Sequence, residues 1–144
     1  MAIVAAIDRS ERSTSVIKTA NEFAEALDLP LHVVHVLSNS EFIELEESTM
    51  DRTGTVMEIE EVRNLARQIS EEAAQESGIE CTPVGRVGKA STEIVDYAEE
   101  VEARYLIVGP RKRSPSGKAI FGSTAQAIIR EAPCPVVTII DGGD

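Results

Sequence analysis

Aromatic residues are scarce in this 144-residue chain: they make up 3% of it, and tryptophan is absent. Apolar residues nevertheless reach 42%, so the interior has to be built from isoleucine, valine, leucine and alanine. Short β-branched runs separated by alanine-rich segments are typical of a parallel sheet covered by helices. The length suits one domain, residues 1–144, without room for a second core of ordinary size.

Lysine is also rare, with four among the 14 basic residues, whereas 25 residues are acidic and the formal net charge is −11. Such a surface repels duplex nucleic acid and anionic membranes, so we expect neither as a partner. Many carboxylates with few lysines favour a halophilic-type acidic protein, kept soluble in concentrated salt. An ordinary acidic cytosolic protein is the alternative.

The chain has two cysteines, Cys81 and Cys134, in different segments and without metal-ligand spacing, which favours free thiols. The apolar run Met1–Ile7 is too short to span a membrane and lacks the basic leader of a signal peptide. We therefore expect no membrane segment and a cytoplasmic location.

Short apolar runs alternate with segments of helical periodicity along the chain. The runs predict five strands, at Ala2–Ile7, Leu31–Leu37, Cys81–Val87, Tyr105–Val108 and Val136–Ile140. The periodic segments predict helices over Ser10–Leu27, Ile59–Ser77, a third one capped by Ser91, and Ser123–Arg130. Ser38–Glu58 lacks periodicity, and we interpret it as a long mobile connection that has room for one helical turn. This alternation predicts a doubly wound α/β fold, a five-stranded parallel sheet with helices on both faces.

Ligands of such sheets bind beyond the carboxyl ends of the strands, where the winding reverses. Asp8 follows the first predicted strand, Val36 lies near the end of the second, and Gly109 follows the fourth. We therefore expect these three positions to meet at one edge of the sheet.

The segment Gly109–Thr124, between the fourth strand and the last helix, has the chemistry of a phosphate site. Gly109 lets a ligand approach the backbone, and Gly122, with Ser123 and Thr124, opens a helix whose free N–H groups favour an anion. Four cations lie in the same segment: Arg111, Lys112, Arg113 and Lys118. Each feature alone is more typical of a solvated turn, but their combination predicts a polyphosphate ligand. The spacing matches neither a Walker A loop nor the dinucleotide GxGxxG pattern.

Taken together, these motifs resemble the universal stress protein family along the whole chain. They are Asp8 after the first strand, the pair His35-Val36, the entry Pro133-Cys134-Pro135 to the last strand, and the loop spacing G-x2-G-x9-G-[S/T]. That spacing runs from Gly109 to Gly122-Ser123, with Lys112 in place of the second glycine. The resemblance implies a nucleotide-binding stress-response or regulatory protein, and we expect its sheet order to be 3-2-1-4-5.

The resemblance also implies which residues bind ATP, AMP or ADP: Ala6, Asp8, Val36, Val108, Gly109, Arg111, Lys112, Gly122, Ser123 and Thr124. Adenine would pack near Val36 and the phosphates would contact the loop. Asp8 would contact the nucleotide or a Mg²⁺ ion indirectly, but it could equally cap the first helix. Lys112 would either crowd the backbone approach or pair its ammonium with a phosphate.

A homodimer through Val136–Ile140 is implied as well, because that β-branched edge strand would otherwise be exposed. Two other functions stay open. One is a slow ATP hydrolase or phosphotransferase that uses Asp8 with Mg²⁺; the other is a non-nucleotide member whose loop binds a free anion or a protein. His32 and His35 are expected to face opposite sides of the sheet as packed, hydrogen-bonded residues.

Overall fold

The computed structural model describes residues 1–10, 12–44, 47, 58–109, 112–113 and 119–140, with the backbone alone for 112–113 and 119–120. The described strands are β1 (Ala2–Ile7), β2 (Leu31–Leu37), β3 (Thr82–Val87), β4 (Ala103–Val108), β5 (Lys112–Arg113), β6 (Ala119–Ile120) and β7 (Val136–Thr138). The longer helices are α1 (Ser13–Leu27), α2 (Ile59–Glu76), α3 (Ala90–Glu100) and α4 (Ser123–Glu131). None of these helices has the length and hydropathy required to cross a bilayer.

Five strands form one parallel sheet in the order β3-β2-β1-β4-β7. The predicted order 3-2-1-4-5 is therefore confirmed, because β7 is the fifth strand of this sheet. The two short strands β5 and β6 pair with each other antiparallel and form a separate ribbon. Strand β1 lies at the centre, between β2 and β4, so the winding reverses beside its carboxyl end.

Apolar side chains cover both faces of the sheet, as the continuous β-branched runs predicted. Ile3 and Val33 pack with Ile17 of α1 on one face. On the other face, Val4 and Leu106 belong to a second core cluster, which also contains residues of α3 and α4. Successive residues of a strand point to opposite faces, so a strand buried on both sides favours a nearly continuous apolar sequence, and the two histidines of β2 are hydrogen-bonded. The helices on both faces confirm the doubly wound fold.

Polar side chains bind the backbone locally in two segments, and the first of these differs from the sequence prediction. Helix α1 begins at Ser13 rather than Ser10, since the N–H of Ser10 donates to the Asp8 carboxylate at 2.8 Å and forms a turn instead. A short helix at 39–44 starts the connection after β2. Ser38 caps it: its hydroxyl accepts from the N–H of Glu41, whose carboxylate accepts from the N–H of Ser38. Most of the predicted mobile connection after residue 44 lies outside the described residues.

Gly85 in β3 lies against the backbone of α2, and this close approach generates a stability prediction. A Cβ atom at this position would lie 2.2 Å from the carbonyl oxygen of Arg63 and 2.3 Å from the nitrogen of Arg67. Since backbone atoms cannot yield as a flexible side chain does, we expect Gly85→Ala to lower the free energy of unfolding by about 2–4 kcal/mol. Urea denaturation followed by circular dichroism measures it.

Gly78→Ala is the matched control, because Gly78 has a φ of +69° and open space around its Cβ position. The strain of an alanine in this left-handed conformation should lower the free energy of unfolding by about 1 kcal/mol. Equal losses for the two variants would show that the helix does not restrict position 85.

Candidate functional site

A cavity of about 590 Å³ opens at the carboxyl ends of β1, β2 and β4, between the starts of α1 and α4. Eight of the ten predicted site residues line it: Ala6, Asp8, Val36, Val108, Gly109, Gly122, Ser123 and Thr124. Arg111 lies outside the described residues, and the structure describes Lys112 by the backbone of β5 alone. The fold therefore brings most of the predicted site to one place.

The floor of the cavity is apolar. Val36 and Val108 come from the ends of β2 and β4, whereas Ile94 and Ile128 come from α3 and α4. All four belong to the same core cluster, on one face of the sheet. A flat apolar group of a ligand would gain burial there at little cost in hydrogen bonds.

The start of α4 forms part of the polar rim. Gly122 occupies the N-cap position with φ −71° and ψ 177°, no side chain caps the helix, and no acidic residue lies in its first turn. The first backbone N–H groups of a helix have no partner within it, and the helix dipole makes this end positive. With the exposed Ser123 and Thr124, they form a set of donors suited to an anion.

Gly109 packs closely against α1 at this edge. A Cβ atom there would lie 3.2 Å from Cγ2 of Val16, so the glycine allows α1 to approach the end of β4. The bare backbone that the sequence suggested for a ligand therefore also serves the contact between helix and strand.

Asp8 does not cap α1, so the capping alternative is wrong. The N-cap residue is Arg12, and no side chain caps this helix. One oxygen of the Asp8 carboxylate accepts the N–H of Ser10, while the main-chain oxygen of Asp8 accepts the hydroxyl of Ser13 at 2.6 Å. Within the described ranges, no three His, Cys, Asp or Glu side chains gather as a metal-binding group.

Sequence reasoning missed several residues of the cavity wall. Arg9, Ser10, Arg12 and Ser13 line it from the turn before α1, and Ser38 and Glu41 line it from the other side. Two signals were available: the S-x-x-E capping box at Ser38 and the two arginines directly after the first strand. No sequence feature marked Ile94 and Ile128 as cavity residues, because helical periodicity does not show which core residue of a helix lies beside the cavity.

His32 and His35 face opposite sides of the sheet and are hydrogen-bonded, as expected. Nδ1 of His32 lies 2.5 Å from the Tyr97 hydroxyl, and Nδ1 of His35 lies 3.0 Å from the carbonyl oxygen of Ile7. His35 is 5% exposed and lines the cavity. Burial, its largest influence, lowers its pKa below the ordinary value of 6.5; the backbone hydrogen bond to Ile7 acts in the opposite direction.

This lowered pKa predicts a loss of stability at acid pH. Below pH 6.5 the unfolded chain binds a proton at His35 that the folded chain resists, so the free energy of unfolding decreases as the pH falls. We expect a shallower decrease between pH 7 and pH 5 for His35→Asn than for the wild type, measured by urea denaturation. Parallel slopes would contradict the assignment. Since the chain has two histidines, NMR titration of His32→Gln reports the pKa of His35 directly.

Comparisons with solved structures agree with this architecture. A universal stress protein from Archaeoglobus fulgidus is 31% identical with a TM-score of 0.61, covering 96% of this chain and 98% of its own. A universal stress protein from A. fulgidus in complex with dAMP is 26% identical with a TM-score of 0.57, and the match covers 96% of this chain and 97% of that one. A universal stress protein in complex with cAMP is 20% identical with a TM-score of 0.61. The match covers 96% of this chain and 95% of that one, and at this identity it supports the fold alone.

Neighbours of the same fold thus bind nucleotides in two of these structures. The sequence itself matches the Universal stress protein family over residues 1–139, nearly its full length. The resemblance found in the motifs is thereby confirmed, and the chain belongs to the universal stress protein family.

Proposed function

We propose that this chain binds an adenine nucleotide (ATP, AMP or ADP) in the cavity and acts as a nucleotide-dependent stress-response or regulatory protein. The observation that carries the proposal is the division of the cavity into an apolar floor and a polar rim. Val36 and Ile94 belong to the floor, which suits a planar base, and the uncapped start of α4 suits phosphate. The complex of a similar protein with dAMP supports it.

The loop between β4 and α4 supplies the remaining charge in this proposal. Arg111 and Lys112 lie there, in a chain with a net charge of −11, and their cations would pair with the phosphates. Lys112 then replaces the backbone contact of the family's second glycine with an ammonium group. A Mg²⁺ ion would be held mainly by the phosphates, with Asp8 as an indirect partner. Family membership favours the cytoplasm as the location of this activity.

Ser123→Glu tests the proposal, because Ser123 is an exposed residue in the first turn of α4 at the rim of the cavity. A carboxylate there interacts favourably with the helix dipole but repels phosphate. We expect the thermal unfolding temperature to stay equal or rise, while the Kd for ATP increases about tenfold or more. Titration calorimetry with ATP, AMP and cyclic AMP, with and without Mg²⁺, measures it in 0.15 M and in molar KCl.

Thr92→Glu is the matched control. Thr92 is exposed in the first turn of α3 and does not line the cavity, so the same charge should leave the Kd unchanged. The nucleotide proposal fails if the wild type releases no heat with any of the three nucleotides. It is also contradicted if both Glu variants weaken binding equally.

We further propose a homodimer in which β7 pairs with its symmetry mate. Strand β7 pairs with β4 on one side, and its other side has no neighbouring strand in the described sheet. Ile140, just past β7, is 52% exposed, and Ile129 of α4 is 47% exposed. An unpaired edge next to exposed apolar side chains is the surface that a two-fold dimer would cover.

Thr138→Pro tests the dimer. The carbonyl oxygen of Pro135 and the N–H of Ile139 bond to β4, and strand residues alternate in direction, so the N–H of Thr138 faces the free edge. Proline removes that donor without breaking a bond to β4. We expect a dimer for the wild type and for Thr138→Val, and a folded monomer for Thr138→Pro, by light scattering coupled to gel filtration. A monomeric wild type would rule this dimer out.

A further inference from the structure

Two buried polar atoms have no hydrogen-bond partner in the described part of the chain: Nε of Arg12 and Nε2 of His35. Both side chains line the same cavity. Buried polar atoms in native proteins are nearly always paired, so two unpaired atoms beside one cavity indicate a missing group. A single ligand group that paired with both atoms would have to match the hydrogen-bonding character of each.

The hydrogen positions on these two side chains follow from their neighbours. The carbonyl oxygen of Ile7 can only accept, so Nδ1 of His35 carries the hydrogen and donates it at 3.0 Å. In the neutral ring, Nε2 then presents a bare lone pair that accepts. Burial of the ring, the largest influence on its pKa, and the positive charge of Arg9 favour this neutral form, whereas the hydrogen bond to Ile7 and the charges of Glu41 and Asp8 oppose it. Arg12 Nε–H can only donate.

The local backbone brings the two side chains to the same end of the sheet. His35 lies in register with Ile7, the last residue of β1. The Ser13 hydroxyl donates to the main-chain oxygen of Asp8, and the N–H of Arg12 donates to the Ser10 hydroxyl at 3.3 Å. These bonds fold the start of α1 back towards the end of β1, where His35 is.

A group shared by both atoms therefore has to accept from Arg12 and donate to His35. A hydroxyl does both, whereas an ionised phosphate or carboxylate oxygen has no hydrogen to donate and an ammonium has no lone pair to accept with. Arg12 also lies at the N-cap of α1, where its cation opposes the helix dipole. A ligand contact would offset that unfavourable placement.

We propose that Arg12 and His35 determine ligand specificity by binding a sugar hydroxyl of the nucleotide, which accepts from Arg12 Nε–H and donates to His35 Nε2. This inference rests on the proposed nucleotide function. It assigns the ribose to the α1 side of the cavity and leaves the start of α4 for the phosphates. The ligand class is a ribonucleotide with a free 2′- or 3′-hydroxyl.

The test compares AMP with its 2′-deoxy and 3′-deoxy analogues by titration calorimetry on the full chain. Loss of the hydroxyl leaves two buried polar atoms unpaired again. For the wild type, we expect one of the analogues to bind about tenfold more weakly than AMP. That ratio of Kd values measures the discrimination.

Two variants identify the residues responsible. His35→Asn keeps an amide that can donate to Ile7 but does not extend to the position of Nε2; Arg12→Met keeps the length of the side chain and removes the donor. In each variant, we expect the Kd of the discriminated deoxy analogue to lie within about twofold of the Kd of AMP. If the buried His35→Asn variant misfolds, Arg12→Met still tests the proposal, because Arg12 is only partly buried. The control Lys18→Met removes the same charge from an exposed position of α1 outside the cavity and should keep the ratio.

The possible outcomes separate the two proposals. If AMP binds but both deoxy analogues bind equally well in the wild type, the hydroxyl contact is overturned and nucleotide binding stands. A ratio that persists in both Arg12→Met and a folded His35→Asn overturns it as well. If AMP, ATP and cyclic AMP all fail to bind, the proposed function fails and this inference fails with it. A ratio lost in Arg12→Met and kept in Lys18→Met supports it.

Discussion

The burial of β1 on both faces and both edges is the constraint on which the rest of this structure depends. Ile3 and Val4 are fully buried on opposite sides, and β2 and β4 satisfy the backbone of the strand. A polar side chain along such a strand would need a buried hydrogen-bond partner, and β1 is entirely apolar, so its first polar residue, Asp8, follows the carboxyl end. The turn that begins at Asp8 is therefore also the wall of the cavity.

Charge is distributed around this edge in a way that composition alone would not suggest. The chain carries 25 acidic residues, yet the first turns of α1 and α4, whose starts line the cavity, contain none. Helix α2 has Glu60 and Glu61 in its first turn, and α3 has Glu93, which pairs with Arg86. The start of α4 is thereby left for an anionic ligand, while the carboxylates of Asp8 and Glu41 lie elsewhere in the cavity wall.

Most of the fold was predictable because its elements follow local chemistry. The strands Ala2–Ile7 and Leu31–Leu37 have the predicted bounds. The first is an unbroken apolar run, and in the second the two histidines are hydrogen-bonded. The start of α1 was misplaced because Ser10 has the chemistry of a helix cap but bonds to Asp8 instead. The last strand ends at Thr138 rather than Ile140, and hydropathy does not tell where pairing with β4 stops.

The sequence by itself determined the family, the doubly wound sheet and most of the cavity frame, including Asp8, Gly109 and Gly122, because each depends on a short motif. Only the tertiary structure decided which other side chains reach the cavity, among them Arg12 and His35. The hydrogen bonds among β1, β2 and the start of α1 leave Nε of Arg12 and Nε2 of His35 unpaired. Whether a buried polar atom is paired depends on distances between segments that are far apart in the chain, and residue types and spacings do not give those distances.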